Sequence, residues 1–93
     1  MPSNGRFNDK SAEIVGRVLR RVRETAGITQ QDVAMRADMD RAYISEVENG
    51  KRSISVDRLL RVCEALNVRA ATIISQVEKE IADRRKGTPH RAR

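Results

Sequence analysis

The sequence predicts an all-α fold: one compact domain of five short helices, with a helix-turn-helix formed by the second and third. Two observations carry this prediction. Apolar residues recur at steps of three and four along most of the chain, and both prolines, Pro2 and Pro89, lie in the terminal segments, where they leave the middle free to be helical. The chain has 93 residues, which is the length of a single domain.

The first helix is predicted over residues 11–26. Val15, Val18 and Val22 recur at helical spacing and mark one apolar face. Gly27 follows, at the position where a residue in the left-handed conformation often ends a helix.

The next three helices share one start signal, in which an apolar residue precedes a polar capping residue and a second apolar residue follows five positions after the first. This arrangement is a hydrophobic staple around an N-cap, and it sets the angle at which the chain enters the helix. The signals predict helices over 30–37, 41–49 and 56–66. The three apolar pairs with their capping residues are Ile28 and Val33 around Thr29, Met39 and Ile44 around Asp40, and Ile54 and Leu59 around Ser55.

The fifth helix is predicted from residue 70 to about residue 85, after Asn67, which can end the fourth helix in a left-handed conformation. Its apolar stripe of Ile73, Val77 and Ile81 has two interpretations. The stripe can close the core of the domain, or it can form a contact between two copies of the chain. Because Ile81 extends beyond what one small core requires, we favour the dimer contact.

Net charge alone does not indicate a polyanionic partner. The formal charge is +6, but residues 84–93 contain five cations and no acid, which leaves only +1 for residues 1–83. We expect residues 86–93 to form a disordered basic tail and residues 1–10 to form a flexible arm. A case for nucleic-acid binding must therefore come from where charges lie in the folded part.

The residues that several classes of protein require are missing from this sequence. Cys63 is the single cysteine, so no internal disulfide can form, and its place on the apolar face of the fourth helix indicates a core residue. His90 is the single histidine, and we expect no metal site. No phosphate loop or nucleophile pair is present, so we expect neither an enzyme nor a cofactor. We expect no small-molecule ligand and no membrane segment, and a cytoplasmic location.

The third predicted helix has an unusual outward face. At 100° per residue, Ile44 and Val47 define its buried side, and Glu48 projects only about 40° from Ile44, towards the core. A carboxylate there requires a cation, and Arg23 is the candidate partner. The outward positions hold small and hydrogen-bonding residues that can approach a groove closely, with a cation at the N-terminal edge. They are Arg41, Ala42, Ser45, Glu46 and Asn49.

The stretch from Ile28 to Val68 resembles the helix-turn-helix family of phage repressors and Cro proteins, also called the xenobiotic-response-element family. With the first helix, the resemblance covers residues 11–75. The segment at 39–45 is similar to the restriction–modification controller proteins, a subgroup of small members. The matching features are Thr29-Gln30, Ala34, Tyr43-Ile44-Ser45, Glu48-Asn49-Gly50-Lys51-Arg52, Leu59-Leu60 and Ala65-Leu66-Asn67-Val68. The chain departs from the usual pattern at Asp38, where a turn glycine is common, and at Arg69, where a serine often caps the fifth helix.

The resemblance implies a regulator of transcription that binds double-stranded operator DNA as a homodimer. A DNA-binding domain with a C-terminal dimerisation helix is then expected over 11–85. Each subunit would place its third helix in a major groove, on a palindromic site with half-sites about 34 Å apart or a multiple of that distance. The family also implies the DNA-contacting set and the Arg23–Glu48 ion pair. The DNA-contacting positions are Gln30, Arg41, Ala42, Tyr43, Ser45, Glu46, Asn49, Lys51 and Arg52.

Alternatives remain open for single residues and for the function. Arg41 can bind a guanine edge or pair with a turn carboxylate, and Glu46 can accept from cytosine or remain a solvated acid. The Tyr43 hydroxyl can contact a phosphate, or the ring can pack against the second helix. Ala42 can meet a thymine methyl group or simply favour the helix. Lys51 and Arg52 are expected at phosphates, or as a flexible pair that only aids solubility. The alternative function is an antitoxin that binds a toxin partner and autoregulates its promoter.

Overall fold

The computed structural model describes residues 8–87. The described residues form five helices and no strand, which confirms the all-α fold class. Residues 1–7 and 88–93 hold most of the predicted arm and most of the predicted tail, including His90, and they lie outside the described residues. The helices are α1 (Asn8–Thr25), α2 (Gln30–Ala37), α3 (Arg41–Glu48), α4 (Val56–Leu66) and α5 (Ala70–Gly87).

The helix ends differ from the predicted ones by a few residues. Helix α1 begins three residues earlier than expected, at Asn8, because none of the residues before Ser11 in that segment is a helix breaker. Helix α3 ends one residue early, at Glu48, since Asn49 leaves the helical conformation and Gly50 has a φ of +75°.

Two of the three predicted N-caps form hydrogen bonds. The Thr29 hydroxyl accepts from the backbone N–H of Asp32 at 3.0 Å, and the Ser55 hydroxyl accepts from that of Arg58 at 3.2 Å. Asp40 has the extended backbone of an N-cap, but its side chain makes no capping hydrogen bond, so the capping role predicted for it is wrong in that respect. The staple residues pack against the core at all three helix starts.

Left-handed residues end α2 and α4. Asp38 has a φ of 58° and Asn67 a φ of 59°. Asp and Asn adopt this conformation more readily than other residues with a Cβ atom, because their short polar side chains can bond locally. Asp38 therefore takes the place in the turn where the family often has glycine, and the path from α2 to α3 is preserved.

One apolar core draws residues from all five helices, and Cys63 is among them at 2% exposure. Burial raises the pKa of its thiol, as expected of an inert core cysteine. Ile73 and Val77 are 0% and 6% exposed within the single chain, and Ile81 is half-buried against the same core. The predicted dimer contact through these residues is therefore wrong for Ile73 and Val77, because α5 packs against α1 and covers them.

A polar cluster joins α1 to α5 beside this core. Glu80 accepts hydrogen bonds from Arg17 and Arg21, each at 3.3 Å, and Arg21 also donates to the Gln76 side chain at 3.0 Å. Burial of the Glu80 carboxyl favours its neutral form, but the hydrogen bonds and the positive charges of Arg17 and Arg21 together outweigh burial and lower its pKa. The C-terminal helix is thus held by paired charges as well as by apolar contacts.

Helix α1 touches α3 through a glycine. A Cβ atom at Gly16 would collide with the Val47 carbonyl oxygen and would lie 3.0 Å from that of Glu48. The absence of a side chain therefore lets α1 support the C-terminal end of α3 directly, and this contact sets where α3 lies on the domain.

Candidate nucleic-acid interface

The faces of α3 follow the predicted pattern. Ile44 and Val47 are 4% and 2% exposed and point into the core. Ser45 is half-buried, and the remaining outward positions of the helix are exposed to solvent: Arg41, Ala42, Glu46 and, just past the helix end, Asn49. Because most of these side chains are short, an incoming groove can approach the backbone of α3 closely.

A buried ion pair connects α3 to α1. Arg23 Nε donates to Glu48 Oε2 at 2.7 Å and Nη2 donates to Oε1 at 3.0 Å, with the two side chains only 11% and 4% exposed. A third guanidinium donor, Nη1, reaches the Ile28 carbonyl at 2.7 Å, just before α2. The hydrogen bond with Glu48 raises the pKa of Arg23 and outweighs the opposing effect of its burial. One arginine therefore ties together α1, the start of α2 and the end of α3.

Gln30 extends this network to the outward face of α3. Its Nε2 donates to Glu48 Oε1 at 3.0 Å, and its Oε1 accepts from Arg41 Nη1 at 3.2 Å. Arg41 is thus held by Gln30, whereas the expected alternative was a carboxylate of the turn. The sequence showed both residues as candidates, but it carried no sign of their contact, because they lie on different helices.

Arg52 is paired with Glu46 across the end of α3. The Nε–Oε1 distance is 2.9 Å, and both side chains are about half exposed, at 53% and 48%. Glu46 therefore has a cation partner within the chain, and its side chain stays about half exposed to solvent. The pair spans six residues, which is not a helical spacing, so periodicity could not reveal it.

Two guanidinium groups lie over the ring of half-buried Tyr43. The Cζ atom of Arg58 is 4.7 Å from the ring centroid and that of Arg52 is 5.3 Å from it, both within the range of a cation–π contact. Arg58 belongs to α4 and was not among the predicted site residues. A sequence signal for it was lacking, because an exposed arginine near a helix start is ordinary.

An open groove is lined by residues of α3, α4 and the turn before α3, and its charged lining residues include Asp38, Asp40, Arg52, Arg58 and Arg61. Lys51 is exposed in the segment that follows α3, and its neighbour Asn49 donates from its amide to the Ser45 hydroxyl at 3.4 Å. The flank of α3 therefore presents several basic side chains beside the outward face.

Among residues 11–84, no group of three or more His, Cys, Asp or Glu side chains is arranged to hold a metal ion. Within the same residues, no helix combines the length and the apolar character needed to cross a bilayer.

Comparison with known proteins adds a family and several relatives. Residues 19–73, more than half of the chain, match the family model described as helix-turn-helix. The control protein C.MunI from a Mycoplasma species is 35% identical over 66 residues, which are 70% of this chain and 89% of that protein. The crystal structure of the clp gene regulator ClgR from Corynebacterium glutamicum matches with a TM-score of 0.76 at 28% identity, over 81% of this chain and 80% of the other. The restriction–modification controller protein C.AhdI from Aeromonas hydrophila matches with a TM-score of 0.65 at 29% identity, over 67% and 94%.

Proposed function

This chain belongs to the helix-turn-helix family, and we propose that it is a sequence-specific regulator of transcription that reads double-stranded DNA with α3 in the major groove. The observation that carries the proposal is the exposed face of α3, where short side chains flank an arginine that Gln30 holds in place. An arginine fork fits the two acceptors of guanine in the major groove. The protein acts by binding, without a catalytic step.

The distribution of charge favours specific over general binding. Residues 1–83 carry +1, and Glu46 neutralises Arg52 in the free protein. The affinity for phosphates then depends on a few cations near α3, of which Lys51 is exposed. Contacts from Lys51 and Arg52 to phosphates would fix the register of α3, and its outward face would supply the preference for bases.

We further propose that the protein acts as a homodimer on a palindromic operator. Four large apolar side chains are exposed among the described residues, and three of them, Val56, Leu60 and Ile74, belong to α4 and α5. Val56 and Leu60 are four residues apart, so they share one face of α4. A two-fold dimer through this surface would present two copies of α3 to half-sites about 34 Å apart. The similarity to proteins named as restriction–modification controllers extends the proposal to control of such a system.

Selection of bound duplexes from a randomised DNA pool tests the proposal. We expect enrichment of a motif with two inverted half-sites. The variant Arg41→Ala should enrich a motif that has lost preference at one position of each half-site. Lys51→Ala and Arg52→Ala should instead weaken binding to all duplexes, and each should reduce the slope of log K against log salt by about 0.9 for every phosphate that the protein no longer neutralises. A pool from which the wild-type protein enriches no motif would contradict the proposed function.

A further inference from the structure

Arg58 has one partner for its side chain among residues 11–84, and that partner is an aromatic ring. Its backbone N–H is held by the Ser55 cap, which anchors the residue in the first turn of α4. From there the guanidinium crosses to α3 and lies 4.7 Å from the centroid of the Tyr43 ring. The described carboxylates form no salt bridge with it, in contrast to Arg61 on the same helix, which lies 3.6 Å from Asp57.

The second guanidinium over Tyr43 has a different anchor. Arg52 is bound to Glu46 at 2.9 Å and lies further from the ring centroid, at 5.3 Å. Its direction is therefore set by a residue of α3 itself. Among the described residues, Arg58 is the only cation of α4 that contacts the Tyr43 ring.

The Tyr43 ring lies on the flank of α3, half-buried, where its orientation depends on what packs against its faces. A cation attracted to the face of the ring restricts how far the ring can turn. The phenolic hydroxyl at the end of that ring is both a donor and an acceptor, and it is suited to a phosphate oxygen or a base edge.

We propose that Arg58 is a positioning residue for DNA recognition, which acts by holding the Tyr43 ring so that its hydroxyl meets the DNA. This inference rests on the proposed function, since it assigns a partner to a side chain of the same surface. It adds to that surface a residue of α4 that neither the sequence nor the family resemblance singled out. It also gives α4 a role in the preference of the protein for particular DNA sequences.

A double-mutant cycle on the duplex selected by the wild-type protein tests the proposal. Tyr43→Phe removes the hydroxyl and keeps the ring, and Arg58→Ala removes the cation. We expect Tyr43→Phe to weaken binding about tenfold in the wild-type background, as for a hydrogen bond to a charged group. In the Arg58→Ala background the same change should cost less than about threefold, because an unheld ring no longer presents its hydroxyl. An equal cost in both backgrounds would overturn the proposal.

Two further variants separate positioning from charge and from folding. Arg58→Lys keeps a cation that can lie over the ring. In the Arg58→Lys background, Tyr43→Phe should therefore weaken binding almost as much as it does in the wild-type background. Lys79→Ala removes one exposed cation from α5, and its cycle with Tyr43→Phe should be additive. Thermal unfolding of all variants should coincide with that of the wild type, because Tyr43→Phe preserves the packing of the ring and the two cations removed are exposed.

The free protein offers a readout that does not depend on DNA. Tyr43 is the only tyrosine and the chain has no tryptophan, so the tyrosine ring signals in a proton NMR spectrum report this one ring. Arg58→Ala should shift these signals and Lys79→Ala should not. Unchanged signals in Arg58→Ala would overturn the contact itself. If the ring signals shift and the wild-type protein selects no DNA motif, the proposed function fails, and with it the role of Arg58 in recognition.

Discussion

The Arg41 guanidinium donates a hydrogen bond to the side-chain amide oxygen of Gln30, with 3.2 Å between Nη1 and Oε1. The amide nitrogen of the same Gln30 donates to Glu48, which Arg23 holds from the other side. Only one orientation of the amide satisfies both neighbours, because a guanidinium can only donate and a carboxylate can only accept. Arg41 is therefore oriented, before DNA arrives, by a chain of contacts that begins in the buried ion pair.

Replacing Gln30 by Ala should reduce DNA specificity more than it reduces stability. We expect the free energy of unfolding to fall by about 0.5–1.5 kcal/mol, since Arg23 still satisfies Glu48. Binding to the selected duplex should weaken about three- to tenfold, and preference should broaden at the base position that Arg41 is proposed to read. Urea unfolding and competition binding measure the two effects. Gln31→Ala, at an exposed neighbouring position, is the control. An equal loss of DNA binding in both variants would argue against the orientation of Arg41 by Gln30.

The ion pair between Arg23 and Glu48 should show strong coupling. Arg23→Met leaves a carboxylate that is only 4% exposed without its main cation, and we expect a loss of about 3–5 kcal/mol in the free energy of unfolding. The double variant Arg23→Met with Glu48→Leu removes both charges and should recover a large part of that loss. Chemical denaturation of the wild type, both single variants and the double variant gives the coupling. Additive losses would mean that the pair does not act as a unit.

Gly16→Ala tests whether α1 supports α3 through a missing side chain. On an exposed helix this change stabilises, because alanine favours the helix by about 1 kcal/mol. Here the added Cβ would collide with the Val47 carbonyl oxygen, so we expect a destabilisation of about 1–3 kcal/mol. Thermal unfolding checks the sign of the change, with Arg20→Ala on the exposed face of α1 as the control. A more stable Gly16→Ala protein would show that the helices separate without cost.

Stability in acid should depend on Glu80. Burial raises the pKa of this carboxyl, but the hydrogen bonds and positive charges of Arg17 and Arg21 together keep it below its ordinary value in the folded chain. A carboxyl with a lowered folded pKa stabilises the protein above its unfolded pKa, near 4.3, and this contribution disappears as the pH falls through the folded value. Glu80→Gln should therefore be less stable than the wild type by up to about 1 kcal/mol at pH 7, and the difference should vanish at low pH.

Unfolding curves of wild type and Glu80→Gln between about pH 7 and pH 2 measure that difference. Glu78→Gln provides the control on the same helix, since Glu78 is exposed and forms no salt bridge within residues 11–84. A difference in the free energy of unfolding between wild type and Glu80→Gln that stays constant down to pH 2 would show that it does not come from the ionised Glu80 carboxylate.

The proposed homodimer should depend on the exposed apolar face of α4. Leu60 is 53% exposed, and Leu60→Glu would place a carboxylate in the proposed contact at no cost to the core. We expect the dissociation constant of the dimer to rise at least about tenfold in sedimentation equilibrium, because an unpaired charge would be buried between the subunits. Met35→Glu, on α2 and 67% exposed, should leave it unchanged. Equal self-association of both variants and the wild type would place the contact elsewhere.

The local organisation of this protein follows from its sequence. The staples and caps predicted α2 and α4 with the observed bounds, and helical periodicity predicted the buried side of α3. The inward angle of Glu48 likewise pointed to a buried cation, and Arg23 is the residue found there. These features depend on neighbours within about one helical turn or on the direction of a side chain about its own helix axis, and both can be read from spacing.

The contacts between helices were decided by the tertiary structure. The stripe of Ile73 and Val77 is apolar in the sequence whether it faces a second chain or α1, and only the packing of α5 on α1 shows that it is internal. In the same way, the sequence contains the arginines that surround Tyr43, but it does not show which of them contacts the ring. Arg58 reaches the ring from another helix. Periodicity gives the direction in which a side chain points, and the neighbour that occupies that direction is set by how the helices pack.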